Sequence, residues 1–266
     1  MVAGPALLFC PADRPDRYEK AAAAGDSVIL DLEDAVSLDA KPRAREALAA
    51  SSLDPARTIV RVNPRSTGLL EADLEALRGT AYRTVMLPKA ETAADLEPLT
   101  GFDVIAICES PAGVRNAELL AGLDVVVALT WGAEDLVAAL GGTSSRFVDG
   151  TYRDYARYAR SKVLIAAASE GKAAYDTVHM AIADIEGLRL EAEDAAASGF
   201  TGSMCIHPSQ AEVIRVAFRP SDDAIRWANG VLEAAAAAGR GAFSYEGRMI
   251  DEPLLRQARR LLTSGR

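Results

Sequence analysis

Eight short apolar segments, many rich in β-branched residues, recur along the chain: Ala6–Cys10, Ser27–Leu32, Thr58–Val62, Thr84–Pro88, Asp103–Cys108, Asp124–Leu129, Tyr175–His179 and Gly202–Ile206. Between them lie stretches with helical spacing, such as Leu70, Leu74 and Leu77, or Leu136 and Leu140. Gly25, Gly79, Gly101 and Gly199 stand where such helices should stop. Continuous apolar strands such as Val125–Leu129 are expected in parallel sheets that helices cover on both faces. Eight of them in strict alternation with helices predict an α/β fold, a closed (β/α)8 TIM barrel with a C-terminal helical extension. The 266 residues, 50% hydrophobic, are enough for one such core. Residues 1–220 are assigned to the barrel. Residues 221–266 are assigned to the extension, a lid packing on the barrel or on a neighbouring subunit. That part includes a helix around Ser221–Ala238 and the segment from Phe243 to Pro253. The main irregularity is the sixth interval, where a Gly-rich loop (Leu140-Gly-Gly-Thr-Ser-Ser-Arg146) precedes a long Ala-rich helix from about Tyr152 to Glu170. A loop over the barrel mouth is expected there.

Charge narrows the partners. Against 38 Asp and Glu stand 29 Lys and Arg, a net charge of −9. Such a field repels phosphate backbones and anionic lipid surfaces, so neither nucleic acid nor membrane is an expected partner. No apolar run approaches the roughly 20 residues of a membrane span. The opening Met-Val-Ala-Gly-Pro-Ala-Leu-Leu-Phe does not read as a signal peptide, so a cytoplasmic location is expected. Cys10, Cys108 and Cys205 are an odd number in apolar segments and read as buried thiols.

In a barrel of this kind the chemistry sits at the carboxyl ends of the strands. Those ends carry Asp13 and Arg14; Asp31, Glu33 and Asp34; Arg61 and Asn63; Lys89 and Glu91; Glu109; Glu134 and Asp135; and His207. Strands also end in polar residues simply because they reach the surface. Glu109 and Asp135 follow consecutive strands, whose ends in a parallel barrel lie roughly 5 Å apart. Two carboxylates with waters and substrate oxygens suit a hard cation such as Mg2+, with Mn2+ as a substitute. The alternative is that both are helix N-terminal carboxylates favoured by the macrodipole. Arg61 ends a buried strand and needs an anionic partner, either a substrate carboxylate or a structural pair with Glu33 or Asp34. Lys89 reads as electrostatic support for a substrate or for Glu109, because nearby Glu91 argues against a Schiff-base lysine.

The remaining motifs say less. His207-Pro208 reads as a helix start. His179 has no partner at metal-ligand spacing, and the chain contains no CxxC, HExxH, Walker loop or GxGxxG. Ser169-Glu-Gly-Lys172 has SxxK spacing without the companion motifs.

Taken in order, Leu8-Phe-Cys-Pro-Ala-Asp-Arg-Pro-Asp-Arg17, Ile29-Leu-Asp-Leu-Glu-Asp-Ala-Val36, Arg61-Val-Asn63, Met86-Leu-Pro-Lys-Ala-Glu91, Glu109, Gly132-Ala-Glu-Asp-Leu136, Ile206-His-Pro-Ser-Gln210 and Glu246-Gly-Arg-Met-Ile-Asp251 resemble the citrate lyase β-subunit-like branch of the HpcH/HpaI aldolase family. That branch is related to the malyl-CoA and citramalyl-CoA lyases. The resemblance covers nearly the whole chain. It implies a homotrimer that uses Mg2+ to cleave or form a carbon–carbon bond between an acyl-CoA and a short keto acid such as oxaloacetate, glyoxylate or pyruvate. It places Glu109 and Asp135 on the family's metal ligands and Arg61 on its keto-acid carboxylate binder. Asp251 falls on the carboxylate that related malyl-CoA lyases bring from a neighbouring subunit. Asp13, Arg14, Glu33, Asp34 and Lys89 match positions that line the mouth. Three departures stand out: Ala12 where many members have Gly, Ser110-Pro111 for a more usual Thr-Ala, and Glu134 where relatives often carry Asp.

The mechanism expected of such a lyase needs these residue types. Mg2+ polarises the carbonyl oxygen, Arg61 orients the carboxylate, and Asp251 exchanges a proton with the acetyl carbon. Arg14, Arg17, Lys20 and Lys41 are candidates for the CoA phosphates. Two other readings share the pocket: a citrate lyase β-type subunit or oxaloacetate-binding protein without autonomous activity, and a barrel acting on free acids.

Overall fold

The computed structural model describes residues 2–239 and 241–263. Eight parallel strands pair in sequence order and close into a barrel: β1 (Ala6–Pro11), β2 (Ser27–Asp31), β3 (Thr58–Arg61), β4 (Thr84–Leu87), β5 (Asp103–Cys108), β6 (Val126–Trp131), β7 (Ala173–Asp176) and β8 (Gly202–Cys205). Closure is made by β8 on β1, with Leu7 opposite Met204 and Leu8 opposite Cys205. The strands are buried on both faces, as parallel strands under helices must be. Leu7, Ile29, Ile59, Met86, Ile105, Ile107, Ala128, Tyr175 and Met204 form one buried cluster of large apolar side chains, characteristic of a filled barrel. The three cysteines are free and buried. Burial pushes Cys10 up to about 11 and Cys108 and Cys205 up to about 12, so all three stay as unreactive thiols at neutral pH.

Two strands differ from the sequence reading. β6 runs two residues further, to Trp131, and β7 starts at Ala173 and ends at Asp176 rather than His179. Pairing to the neighbours decides both. Cys108 fixes Trp131 as a strand residue, and Ala128 and Leu129 recruit Ala173 and Ala174. Local β-propensity in Thr177-Val-His179 is overridden.

The chain divides into two compact units, Met1–Arg215 and Val216–Arg266. Within the second, helix Asp222–Ala238 starts at Ser221, whose hydroxyl accepts the Ala224 N–H at 3.1 Å. A hairpin follows, β9 (Phe243–Tyr245) and β10 (Arg248–Ile250), and then helix Glu252–Thr263. The hairpin is absent from the sequence reading. Its two-residue turn, Glu246-Gly247, has positive φ at both positions, as a type I′ turn requires. Glu in place of the usual Asn or Asp hides that signal. Ala228, Val231, Ile250 and Ala258 form this unit's small core, with Trp227, Leu232, Phe243 and Leu255 around it. Gly230 allows the hairpin to close on the helix, since a Cβ there would stand 1.9 Å from the Tyr245 hydroxyl. Among the described residues, no helix is long and apolar enough to cross a membrane.

Candidate active site

The site begins at the ends of β2 and β3. Asp31 is 1% exposed. Its carboxylate turns the following loop inward by accepting the Glu33 N–H at 2.9 Å and the Ala35 N–H at 3.1 Å. Opposite it in register stands Arg61. The guanidinium donates through Nε and Nη2 to the two oxygens of Asp31, at 2.7 and 2.6 Å. Nη1 lies 3.0 Å from Glu33 Oε2, an ionic contact that leaves this oxygen without a hydrogen bond. The Phe9 ring covers the guanidinium at 4.7 Å. Of the partners weighed from sequence, Glu33 is realised and Asp34 is not. The principal partner, Asp31, was visible as a strand end but not as the anchor of Arg61.

Lys89 follows β4 with its backbone in the left-handed region, φ +52°, uncommon for a residue other than glycine. That conformation aims two groups at the site. The Lys89 amide donates to Glu109 Oε1 at 2.9 Å. Its Nζ lies 2.5 Å from Glu33 Oε1, 3.4 Å from Asp135 Oδ1 and 3.7 Å from Asp34 Oδ2. Burial works against this ammonium, yet the hydrogen bond to Glu33 and the charges of Glu109 and Asp135 hold it above the ordinary lysine range. A permanently charged amine supports neighbouring anions and does not act as a Schiff-base nucleophile.

Glu109 follows β5 and is 4% exposed. Burial, and then the negative charges of Asp135 and Glu33, push it up to about 8 against the pull of Lys89 and Arg61. Gly132, across the β5–β6 pairing, is required by this carboxylate: a Cβ there would stand 2.5 Å from Glu109 Oε2. Asp135 sits in the first turn of helix Ala133–Ala139, with 39% of its side chain exposed. The pair fits a hard divalent ion, because both donors are oxygens and a cation would relieve the repulsion that raises Glu109. Among the described residues, no group of three or more His, Cys, Asp or Glu is arranged to hold a metal. An ion on Glu109 and Asp135 therefore leaves the rest of its shell to water and substrate. A cavity of about 450 Å³ opens on the other side of Lys89, lined by Glu33, Asp34, Leu38, Asn63, Ser66 and Lys89 among others but not by Glu109 or Asp135.

The ends of β6 and β7 carry a different network. Trp131 Nε1 donates to Asp176 Oδ1 at 2.7 Å, and Arg160 donates through Nε to Oδ2 at 2.9 Å. The loop after helix Ala133–Ala139 is tied down by Ser145 Oγ on Glu134 Oε1 at 2.7 Å and by Arg146 on Glu191. Arg146 also lies 3.8 Å over the Tyr152 ring, which packs edge-on against Trp131. His179 Nδ1 is 2.9 Å from Glu191 Oε2, and its Nε2 is 3.3 Å from Asp184. Asp176 was missed from sequence because β7 was read too far downstream.

With this geometry in place the family follows from the match of residues 6–208 to the HpcH/HpaI aldolase/citrate lyase profile. The chain belongs to the HpcH/HpaI aldolase/citrate lyase family, a family of carbon–carbon lyases. It is 55% identical to a citrate lyase subunit beta-like protein of Mycobacterium tuberculosis, over 98% of this chain and 95% of that one. It is 32% identical to human mitochondrial citramalyl-CoA lyase, over 97% of this chain and 84% of that one. Its structure superposes on the crystal structure of protein CitE from M. tuberculosis in complex with magnesium, acetoacetate and coenzyme A, with a TM-score of 0.95 and 54% identity over 99% and 98% of the two chains.

Within this HpcH/HpaI barrel the strand-end residues Glu33, Asp34, Arg61, Lys89, Glu109 and Asp135 converge through Lys89 and Arg61. Asp13 and Arg14 do not join them. Asp13 pairs with Arg43 at 3.2 Å, and Arg14 forks onto Asp16 at the surface. Lys41 does not offer a free rim charge either. It is buried, and Nζ donates to the Leu32 and Glu33 carbonyls at 2.6 and 2.7 Å. His207 is exposed and its ring meets Ser209, consistent with a helix start. Asp251 belongs to the second unit, where it lines a cavity of about 540 Å³ with Phe243, Leu255 and Arg259. Ser110, one of the departures from the family pattern, accepts the Gly113 N–H and donates to Glu91 at 2.5 Å.

Proposed function

We propose that this chain is a Mg2+-dependent carbon–carbon lyase that cleaves a short 3-hydroxyacyl-CoA, of the malyl-CoA or citramalyl-CoA type, to a keto acid and an acyl-CoA, or runs the reverse condensation. One observation carries this reading: Lys89 links Glu109 and Asp135 at neighbouring strand ends, beside an Arg61 that Asp31 holds in a fork. The similarity to a structure holding magnesium, acetoacetate and coenzyme A and to a citramalyl-CoA lyase supports it.

Glu109 and Asp135 would hold the ion, which when bound polarises the oxygen of the reacting carbon. The other roles belong to side chains. Asp31 engages two of the five N–H groups of Arg61 and Glu33 faces Nη1 in ionic contact only, which leaves N–H groups on both terminal nitrogens for the carboxylate of the keto acid. In cleavage the hydroxyl loses its proton, its electron pair forms the new carbonyl, and the carbon–carbon bond breaks towards the thioester. The resulting carbanion equivalent takes a proton. Asp251, supplied by a neighbouring copy in a cytoplasmic homotrimer, is the group this reading assigns to that transfer.

The test uses the purified chain alone. Glyoxylate, pyruvate and oxaloacetate are each incubated with acetyl-CoA or propionyl-CoA, with Mg2+ or with chelator, and the product mass is measured. At least one pair is expected to condense only with Mg2+. No product from any pair, with activity appearing only after acyl-carrier and α subunits are added, would replace the lyase by the citrate lyase subunit.

A further inference from the structure

Among the described residues, Lys89 is the one whose hydrogen bonds and ion pairs reach both of the carboxylates assigned to the ion. Its amide holds Glu109 and its ammonium lies 3.4 Å from Asp135. The left-handed backbone at this position brings the two contacts together. The ammonium also meets Glu33 and Asp34, so it already serves as the cation of this acidic mouth. Formally, five carboxylates (Asp31, Glu33, Asp34, Glu109 and Asp135) surround Arg61 and Lys89, with one further cation, Lys41, held behind them on the Leu32 and Glu33 carbonyls. A divalent ion that takes Asp135 must compete with the ammonium for it. An arriving keto acid adds a negative charge that the ammonium can follow.

We propose that Lys89 is a positioning residue that makes divalent-cation binding conditional on the anionic keto acid. Without the acid, the Lys89–Asp135 contact and like-charge repulsion weaken the ion's hold. With the acid present, the ammonium has a new partner and Asp135 is released to the metal. Linkage then requires the metal to tighten the keto acid by the same factor that the acid tightens the metal. Chelation by the acid itself couples the two in any variant, and Lys89 adds to that coupling. This rests on the metal-dependent lyase reading above.

The experiment measures Mn2+ binding by electron paramagnetic resonance, with and without pyruvate, on the full chain. Lys89→Asn removes the charge but tolerates the left-handed backbone, so folding is preserved and is checked by thermal melting. Without pyruvate, Lys89→Asn is expected to bind Mn2+ about tenfold more tightly than wild type, and the pyruvate-induced tightening falls by a similar factor. Lys89→Arg, which keeps the charge, is expected to stay within about twofold of wild type. An Asn variant that binds Mn2+ no more tightly, or an Arg variant that tightens as the Asn variant does, overturns the proposal. Glu109→Ala separates the two levels of argument. If wild type binds Mn2+ and Glu109→Ala does not, the metal site stands and only the Lys89 outcome judges the proposal. If wild type binds none, the metal site and the proposal fall together.

Discussion

The ends of β2 to β5 and the ends of β6 and β7 are made of the same materials, buried carboxylates and cationic side chains, yet they are balanced differently. Around β6 and β7 the carboxylates are matched by guanidinium groups: Arg160 pairs with buried Asp176 and also reaches exposed Asp194, and Arg146 pairs with half-buried Glu191, which His179 also meets. Around β2 to β5, Asp31 and Glu33 share Arg61, Glu33 also takes Lys89, and Glu109 receives a backbone N–H. Burial opposes the charge on Glu191, but hydrogen bonds from His179 and Arg146 keep it below the ordinary carboxylate range. Glu109 is pushed the other way, to about 8. One network is closed and holds the barrel's wall. The other is short of positive charge, which is the condition for recruiting a cation.

Four measurements test this contrast. Removing a cation from the closed network should show as stability: Arg160→Met leaves Asp176 buried and unpaired, and a loss of about 3–5 kcal/mol by denaturant unfolding is expected. A loss below about 1 kcal/mol would mean the two networks are alike. On the open side the cost should fall on catalysis. Glu109→Gln is expected to lower the Mg2+-dependent rate by about 10²–10³ without lowering Tm, since a carboxyl pushed up to about 8 is mostly protonated at neutral pH without the ion and Gln is its neutral isostere. A variant that loses stability instead would place Glu109 with the structural carboxylates. Gly132→Ala has a backbone any residue adopts, but its methyl group meets Glu109. Its expected effect is Mn2+ binding weakened by about 10 to 100-fold in a folded protein, as for other groups that orient a ligand.

The smallest effect concerns pH. His179 is raised above its usual value, first by the hydrogen bond to Glu191. A raised folded value means its contribution is present below the unfolded value and is lost as pH rises through the folded one. The Tm advantage of wild type over His179→Gln should therefore shrink between pH 6 and pH 9, by about 2–4 °C. A difference independent of pH would remove His179 from the charge balance of that network.

Much of the site is legible before folding. Glu109 comes directly after one apolar strand and Asp135 four residues after the next, and the barrel's order makes their neighbourhood a matter of counting. Arg61 is legible as a buried cation in need of an anion, but a choice between Asp31, Glu33 and a substrate is one of angle and distance. Lys41 and Arg14 look like rim charges in the chain, and only their hydrogen-bond partners show that both are committed elsewhere. Arg160, thirteen residues before Ala173, joins Asp176 because a helix folds back on its own strand.

The eight barrel strands, their parallel order and the carboxylates at every strand end but that of β7, where Asp176 went unread, are written in the amino-acid sequence. Those follow from hydrophobic period and chain connectivity, which are local. Tertiary structure alone decided where β6 and β7 stop, that Glu246-Gly247 turns a hairpin, and which cation serves which carboxylate. These depend on register and on competition among several charges within a few ångströms, and the burial that sets their strength exists only once the barrel has closed.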